Sequence, residues 1–216
     1  MHACIGPPAG GVSRGVLRRP GLRNRGEEAI TQSGAPREIE IKLALPDAAA
    51  GRRLLRAAGF GVSKRRVFEA NTLFDTAGGG LRRAESLLRV REAGRLGFLT
   101  YKGPSAGGKY KDREELEVEV SDPHRLSEML ARLDFVAKFR YEKYRTEYRR
   151  PGEAGSAMLD ETPIGVYLEL EGAPGWIDRN ARRLGFAESD YSTASYYGLY
   201  ADYCRLHGLP VTHMTY

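Results

Sequence analysis

The sequence predicts an α+β fold in which about eight antiparallel strands close into a β-barrel, with the helices packed outside it. Two observations lead to this prediction. From residue 37 onward the chain alternates short strand patterns with a few helical segments. Along the strands, one face is almost entirely Glu, Arg and Lys, whereas the other face is apolar. About eight strands suffice to close a barrel around one small ligand.

The elements follow one another with clear boundaries. Residues 38–45 follow a strict two-residue alternation, and Pro46 and a helical stretch to Ala58, closed by Gly59, come next. Seven further strand patterns, separated by Gly- and Pro-rich turns, cover residues 67–75, 86–93, 96–102, 113–120, 138–149, 156–161 and 166–172. Further helices are expected after Asp122-Pro123, from Trp176 to Leu184, and from about Ser192 to His207.

The two ends of the chain are predicted to lie outside the folded domain. Residues 1–36 are rich in Gly, Pro and Arg without apolar periodicity, so we expect disorder there, a domain over residues 37–208 and a tail over residues 209–216. Cys4 and Cys204 are the only cysteines, which predicts no disulfide framework and favours a reducing, cytoplasmic location. No stretch is apolar for long enough to cross a bilayer, and residues 1–36 lack a signal-peptide core.

The net charge of +6 is compatible with a polyanionic small ligand as well as with nucleic acid. Half of this excess lies in residues 1–36, where five arginines face only Glu27 and Glu28. Composition therefore does not separate the two classes of ligand.

The charged faces of the predicted strands are the most informative feature. They carry Glu38, Glu40 and Lys42; Arg89 and Arg91; Thr100 and Lys102; Arg113, Glu115, Glu117 and Glu119; Lys143 and Arg145; and Glu169 and Glu171. For a single strand, an open sheet with one face in water explains the pattern. Its repetition favours a barrel with these faces inside, because a solvated face would also use Ser, Asn and Gln. Enclosed charges are costly unless they meet opposite charges, a metal or a ligand.

These residue types suit a metal-bound polyphosphate. Carboxylates spaced two apart on a strand, as in Glu38 with Glu40 and Glu169 with Glu171, supply the hard oxygen ligands of Mg²⁺ or Mn²⁺, and Asp160 follows a strand pattern that could join them. Arginine and lysine from several strands supply donors for phosphate oxygens. A P-loop is excluded, because the glycines of residues 78–80 are not followed by Lys-Ser/Thr.

In these residues the sequence resembles the CYTH family, which groups class IV adenylyl cyclases, thiamine triphosphatases and inorganic tripolyphosphatases. The matching motifs run in order over residues 37–200: E-x-E-x-K at 38–42, R-x-R at 89–91, T-x-K-G at 100–103, the acidic strand 113–120, K-x-R at 143–145, the segment 159–172, and Ser195-Tyr196. The resemblance implies an eight-stranded triphosphate tunnel and an activity that depends on Mg²⁺ or Mn²⁺.

The sequence departs from the family pattern at two places. Leu73 occupies a position before Phe74-Asp75-Thr76 where the family often has Tyr, so a Lys–Tyr pair for the attacking water is not evident. Residues 30–37 lack the His-Phe pair of one cyclase type.

The leading functional prediction is hydrolysis of the terminal phosphoryl group of tripolyphosphate or of a nucleoside or thiamine triphosphate. The expected catalytic residues are Lys42, Arg89 and Arg91, and the expected substrate-binding residues are Lys102, Arg113, Lys143 and Arg145. The expected metal ligands, whose metal would position or activate water, are Glu38, Glu40, Asp160, Glu169 and Glu171. Either a second metal site or neutralisation of the basic strands is expected of Glu115 and Glu117. The general base is not identified.

Three alternatives stay open at this point. The first is cyclisation of ATP to cyclic AMP and pyrophosphate, and the second is a non-catalytic polyphosphate- or nucleotide-binding module. Nucleic-acid binding is the weakest, because Tyr101 and Tyr144 fall on the apolar face rather than among the charges. The sequence also leaves open whether the chain forms a homodimer.

Overall fold

The computed structural model describes residues 36–216. The disorder expected for residues 1–36 therefore falls, except for Pro36, on residues outside the described part of the chain. The strands are β1 (Arg37–Leu45), β2 (Gly61–Thr76), β3 (Leu87–Ala93), β4 (Leu96–Ser105), β5 (Lys111–Val120), β6 (Phe135–Arg149), β7 (Ser156–Thr162) and β8 (Gly165–Glu171). The helices are α1 (Ala48–Ala57), α2 (Gly80–Arg83), α3 (Pro123–Arg132), α4 (Pro174–Arg183) and α5 (Tyr196–His207), with a 3₁₀ turn at Glu188–Asp190.

The strands form a closed barrel in the order β1-β5-β4-β3-β2-β6-β7-β8, and every neighbouring pair is antiparallel. This confirms the predicted fold class. In this ring of eight strands, β2 lies across the lumen from β1, and β3 lies across from β8. Residues of these opposed strands therefore face one another through the interior.

The main hydrophobic core lies outside the barrel wall rather than within it. Ile41 and Leu43 of β1 and Leu168 of β8 are fully buried and pack with Leu55 of α1 and Ile177 of α4. Each such residue contributes about 1.5–3 kcal/mol by burial. Because these side chains alternate with charged ones, burying them against the helices directs the charged faces into the lumen.

On β5 the outer face differs from the expectation that helices cover the apolar side. Leu116 and Val118 are 48% and 57% exposed, since no helix packs on this strand in residues 36–216. Several strands are also longer than predicted: β2 begins at Gly61, β5 at Lys111 and β6 at Phe135, and β4 ends at Ser105. The last helix begins later than predicted, at Tyr196, since Ser195 acts as its N-cap and accepts from the backbone N–H of Gly198 at 3.1 Å.

Helix α5 closes the end of the barrel where β2 ends and β6 begins. Its Tyr196 is buried against Phe139 and Tyr141 of β6. The segments on both sides of α5 pair with strand edges: Ser192 exchanges backbone hydrogen bonds with Lys42 at 2.8 and 2.9 Å, and Met214 pairs with β6 at 2.8 and 3.0 Å. Residues 209–216, expected from the sequence to be a tail, thus contain a fully buried side chain in Met214. None of the helices in residues 36–216 has the length and apolarity required to span a membrane.

Candidate active site

The barrel encloses a cavity of about 1100 Å³ whose wall carries almost all of the predicted site residues. The lining includes Glu38, Glu40, Lys42, Arg89, Arg91, Lys102, Arg113, Glu115, Glu117, Lys143, Arg145, Glu169 and Glu171. Glu40 and Lys102 are only 4% and 8% exposed, so the charged faces do not form the solvated side of an open sheet. The cavity could enclose a small ligand the size of a triphosphate compound.

Four glutamates form an acidic wall on two adjacent strands. Glu38 and Glu40 lie on β1, Glu169 and Glu171 lie on β8, and Glu40 is the register partner of Glu171. The Nζ of Lys42 lies 2.8 Å from Glu40 and 3.2 Å from Glu169. Burial alone would raise the pKa of the Glu40 carboxyl, but Lys42, together with Lys111 at 3.0 Å, holds it below the ordinary range. The same two glutamates keep the pKa of the buried Lys42 above its ordinary value.

Glu171 is the member of this wall with an unneutralised charge. No ion pair involves Glu171 among the salt bridges of residues 36–216, and its pKa is raised to about 7 by burial and then by the neighbouring Glu38, Glu40 and Glu169. Burial and Glu40 likewise raise the pKa of Glu38, although Lys102 opposes this. Glu171 is therefore the carboxyl of this wall that the surrounding cations stabilise least, whereas the other three glutamates pair with lysine or arginine.

The donor chemistry of this wall fits a hard divalent cation. Carboxylate oxygens are the ligands that Mg²⁺ and Mn²⁺ prefer, and a cation would relieve the repulsion that raises the pKa of Glu171. As placed, the other carboxylates turn towards lysine or arginine, and no three acidic or histidine side chains of residues 36–216 converge into a ready-made cage. Glu38, Glu40, Glu169 and Glu171 would hold the metal after exchanging these partners.

A basic wall lies on β3 and β4. Arg89 donates to Thr100 at 3.1 Å and to Glu117 at 3.4 Å, while Arg91 donates to Glu117 at 2.8 Å and to Glu69 at 3.2 Å. On β4, Lys102 contacts Glu38 and lies 3.3 Å from Glu115. Of the two roles left open for Glu115 and Glu117, these contacts favour neutralisation of the basic strands.

Lys143 and Arg145 of β6 form a third basic group, which surrounds Asp160. Asp160 was expected to join the metal ligands, but it accepts from Lys143 at 2.8 Å, from Arg145 at 2.7 and 2.5 Å, and from the Tyr196 hydroxyl at 2.6 Å. It is fully buried and does not line the cavity. These contacts and its position behind the lining favour a role for Asp160 as counter-ion of the two cations over a role as metal ligand. Arg145 also contacts Glu169, which joins this group to the acidic wall.

Arg113, predicted to bind substrate, lines the cavity but has several backbone partners. Its guanidinium donates to the backbone carbonyls of Gly103 at 2.7 Å, Glu85 at 3.1 Å and Lys102 at 3.3 Å. Burial lowers the pKa of this group, although Glu38 opposes the effect. With its Nε and one terminal nitrogen committed to carbonyls, Arg113 ties the chain after α2 to the end of β4.

Several residues of the lumen were missed in the sequence. Glu69 bridges Arg91 at 3.2 Å and Lys143 at 3.7 Å, and Asn71 follows it on the same face of β2. The pattern of residues 67–75 already placed both on one face, but no partner was evident for either. Lys111 was missed because the predicted strand started two residues late. Tyr141 shares the charged face of Lys143 and Arg145 in the predicted strand 138–149, but nothing in the sequence indicated a role for it.

A closed antiparallel barrel of eight strands with a charged, enclosed lumen defines a protein of the triphosphate-tunnel type. The comparison with protein families agrees, since the model of the CYTH domain matches residues 36–177. The chain therefore belongs to the CYTH family, which confirms the resemblance found in the sequence.

Individual relatives support the same assignment. The chain is 30% identical over 135 residues to a candidate adenylate cyclase, MJ0240, of Methanocaldococcus jannaschii, covering 62% of this chain and 75% of that protein. The PH1012 protein of Pyrococcus horikoshii OT3 superposes with a TM-score of 0.64 at 25% identity, over 74% of this chain and 96% of that one. A candidate adenylyl cyclase of Hippeastrum, described as having a dominant triphosphatase activity, superposes with a TM-score of 0.56 at 22% identity, over 81% of this chain and 97% of that one. The last similarity concerns the fold alone.

Proposed function

We propose that this protein hydrolyses the terminal phosphoryl group of a triphosphate compound in the presence of a divalent cation. The observation that carries the proposal is the arrangement of the lumen. Arginines and lysines of β3, β4 and β6 face a wall of four glutamates, of which Glu171 has no ion-pair partner within residues 36–216. A chelated triphosphate complements both surfaces, because its oxygens suit the cations and its metal suits the glutamates.

The basic residues would bind the phosphate chain and stabilise the charge that develops during transfer. Arg89 and Arg91 have side chains only 12% and 16% exposed, so their hydrogen bonds to phosphate oxygens would form in a site largely shielded from water. Lys102, Lys143 and Arg145 would bind the remaining oxygens. These three side chains now donate to carboxylates. A bound phosphate would accept hydrogen bonds from the same N–H groups, and the metal would bind the carboxylates of the acidic wall instead.

The divalent cation, held by Glu38, Glu40, Glu169 and Glu171, would neutralise phosphate charge and polarise the phosphoryl oxygens. CYTH tunnel enzymes generally depend on divalent metals, in agreement with this expectation. Without a bound cation, the glutamates of the acidic wall would repel the negative charge of a triphosphate in the lumen. The choice between Mg²⁺ and Mn²⁺ is open to experiment.

A second candidate function is the cyclisation of ATP, in which the ribose 3′-oxygen attacks the α-phosphorus and pyrophosphate leaves. The name of the relative in Methanocaldococcus jannaschii, a candidate adenylate cyclase, favours it. The same basic and acidic walls would serve either reaction. Hydrolysis is preferred because residues 30–37 lack the His-Phe pair of the cyclases considered above, and the neighbour from Hippeastrum is a fold-level precedent for triphosphatase activity.

The test is to incubate the purified protein with tripolyphosphate, ATP and thiamine triphosphate, each with Mg²⁺ or Mn²⁺, and to resolve the products. We expect orthophosphate with a diphosphate product from at least one substrate. Pyrophosphate together with cyclic AMP would instead establish the cyclase, and tight binding without turnover would establish a binding module.

A matched pair of variants tests the site itself. Arg91→Ala removes a lumen cation and should lower kcat/KM by about a hundredfold or more. Arg66→Ala is the control, because Arg66 lies on the exposed side of β2, pairs with Glu161 and has 47% of its side chain exposed. Equal losses in both variants would argue against catalysis in the lumen.

A further inference from the structure

The lumen wall at β2 and β3 holds a concentration of buried polar atoms without hydrogen-bond partners in the protein. Within residues 36–216 these atoms are Glu69 Oε2, both amide atoms of Asn71, Arg89 Nε and Arg91 Nε, with Arg150 Nε elsewhere. Buried polar groups are nearly always paired, because an unpaired one loses its hydrogen bonds to water without replacement. A concentration of them on one wall indicates partners that come from a ligand or from water.

Asn71 is the member of this group that no ion pair explains. It is completely buried, and it lies on β2 between Glu69 and Leu73, two residues whose side chains line the lumen. The register places Asn71 opposite Arg91 of β3 on one side and Tyr141 of β6 on the other. Its amide is uncharged and offers both a donor and an acceptor.

Tyr141, the register partner of Asn71 on β6, lines the cavity itself, whereas the fully buried Asn71 lies behind the lining residues. Its ring stacks on Phe139 with centroids 5.9 Å apart and packs on Tyr196 at 5.6 Å, and the residue is 6% exposed. The hydroxyl lies 3.4 Å from Nη1 of Arg89. Burial would raise the pKa of this phenol, but Arg89 and Lys143 lower it below its ordinary value. The hydroxyl is therefore held among cations and keeps capacity for a further hydrogen bond.

This pair offers neutral hydrogen-bonding groups, which are able to bind a water molecule beside the phosphate chain. Asn71 and Tyr141 are neutral groups, and β2 lies across the lumen from the glutamates of β1. A phosphate chain bound between the two walls would thus have the metal on one side and this neutral pair on the other.

We propose that Asn71 and Tyr141 hold the water molecule that attacks the terminal phosphorus, with Tyr141 contacting the water from the cavity wall and Asn71 positioning it from behind. This inference rests on the proposed hydrolysis. In that step the water oxygen forms a bond to the terminal phosphorus, and the bond from phosphorus to the bridging oxygen breaks with its electron pair leaving on the diphosphate. The proton released by the water ends on a phosphate oxygen of the products.

The first test compares two asparagines that are equally buried, one without hydrogen-bond partners in the protein and one with them. Asn71→Leu removes an amide without protein partners, so it should melt at or above the parent temperature and yet lose at least about tenfold in kcat, with KM for tripolyphosphate within about threefold. Asn180→Leu is the control. Asn180 is equally buried, but it donates to Glu153 and to the Trp176 carbonyl at 3.1 and 3.0 Å and accepts from Arg183 at 2.5 Å. It should melt well below the parent.

The second test removes single hydroxyl groups. Tyr141→Phe should lower kcat about tenfold with KM nearly unchanged, since a neutral contact to water contributes little to holding the charged chain. Tyr148→Phe is the control, because Tyr148 is equally buried at 6% but packs in the core outside the barrel. It should keep the parent kcat.

The outcomes separate this inference from the proposed function. If the parent hydrolyses tripolyphosphate and both lumen variants keep parent kcat, the water subsite is refuted and the hydrolase stands. If Asn71→Leu melts several degrees below the parent, Asn71 is a structural residue and the inference is overturned. If the parent turns over no triphosphate, the proposed function fails and the attacking-water role fails with it, whatever the melting temperatures.

Discussion

The charge on Glu171 gives the sharpest prediction about the acidic wall. Glu171→Gln removes a carboxyl whose pKa stands at about 7 instead of 4.5, owing to burial and then to Glu38, Glu40 and Glu169. Between these two pH values the carboxyl is still protonated in the folded protein but ionised in the unfolded chain. Because the carboxyl ionises more easily in the unfolded chain, raising the pH through this range lowers the free energy of unfolding.

The magnitude follows from the size of this shift. Below the ordinary pKa of 4.5 the group is neutral in both states, and it costs no stability. As the pH rises from there to about 7, the cost grows, and beyond that it stays constant at about 3 kcal/mol as an upper bound. Glu171→Gln should therefore match the parent at about pH 4.5 and be more stable than the parent at about pH 8.

Urea unfolding at both pH values, with and without Mg²⁺ or Mn²⁺, measures this effect. The cation should stabilise the parent at the higher pH and stabilise Glu171→Gln much less, because it replaces the missing neutralisation at this wall. Glu128→Gln, on the exposed side of α3, is the control and should follow the parent throughout. An identical pH dependence for Glu171→Gln and the parent, or equal stabilisation of both by the cation, would refute the reasoning.

Three further predictions concern ion pairs and packing. Lys143→Met removes the contact at 2.8 Å to the buried Asp160, which keeps Arg145 and Tyr196, so urea unfolding should show a loss of about 1–3 kcal/mol; a loss below about 0.5 kcal/mol would contradict the pairing. Gly155→Ala places a Cβ 2.4 Å from the ring of Trp176 and should cost about 1–3 kcal/mol in the same assay. Gly61→Ala meets nothing within 4 Å and should be neutral or slightly stabilising, so equal effects of the two glycine changes would count against the packing described here.

Much of the fold could be predicted because the alternation of charged and apolar residues is strong where a strand lies between core and lumen. In β1 the apolar Ile41 and Leu43 and the charged Glu40 and Lys42 are all buried, each on its own face. The first part of β2 escaped prediction, since residues 61–66 are exposed and interrupted by bulges. Helix α2 escaped because it has four residues and is held by Asp75, which accepts from the backbone N–H groups of Leu81 and Arg82 at 2.9 and 3.0 Å.

The membership of the lumen could also be predicted, but the pairing inside it could not. Alternation shows which side chains share a face, whereas ion pairs depend on the order of the strands in the ring. Asp160 became a counter-ion because β7 lies beside β6 and because α5 brings Tyr196 to it. Arg113 turned to backbone carbonyls of the neighbouring chain, which no periodicity encodes.

The most direct test of the central claim is to run the reaction in ¹⁸O-labelled water and follow the phosphorus products by ³¹P NMR. Hydrolysis in the lumen predicts one ¹⁸O atom in the released orthophosphate and none in the diphosphate product, because water attacks the terminal phosphorus. Unlabelled pyrophosphate appearing together with cyclic AMP, or label in the diphosphate product, would contradict it.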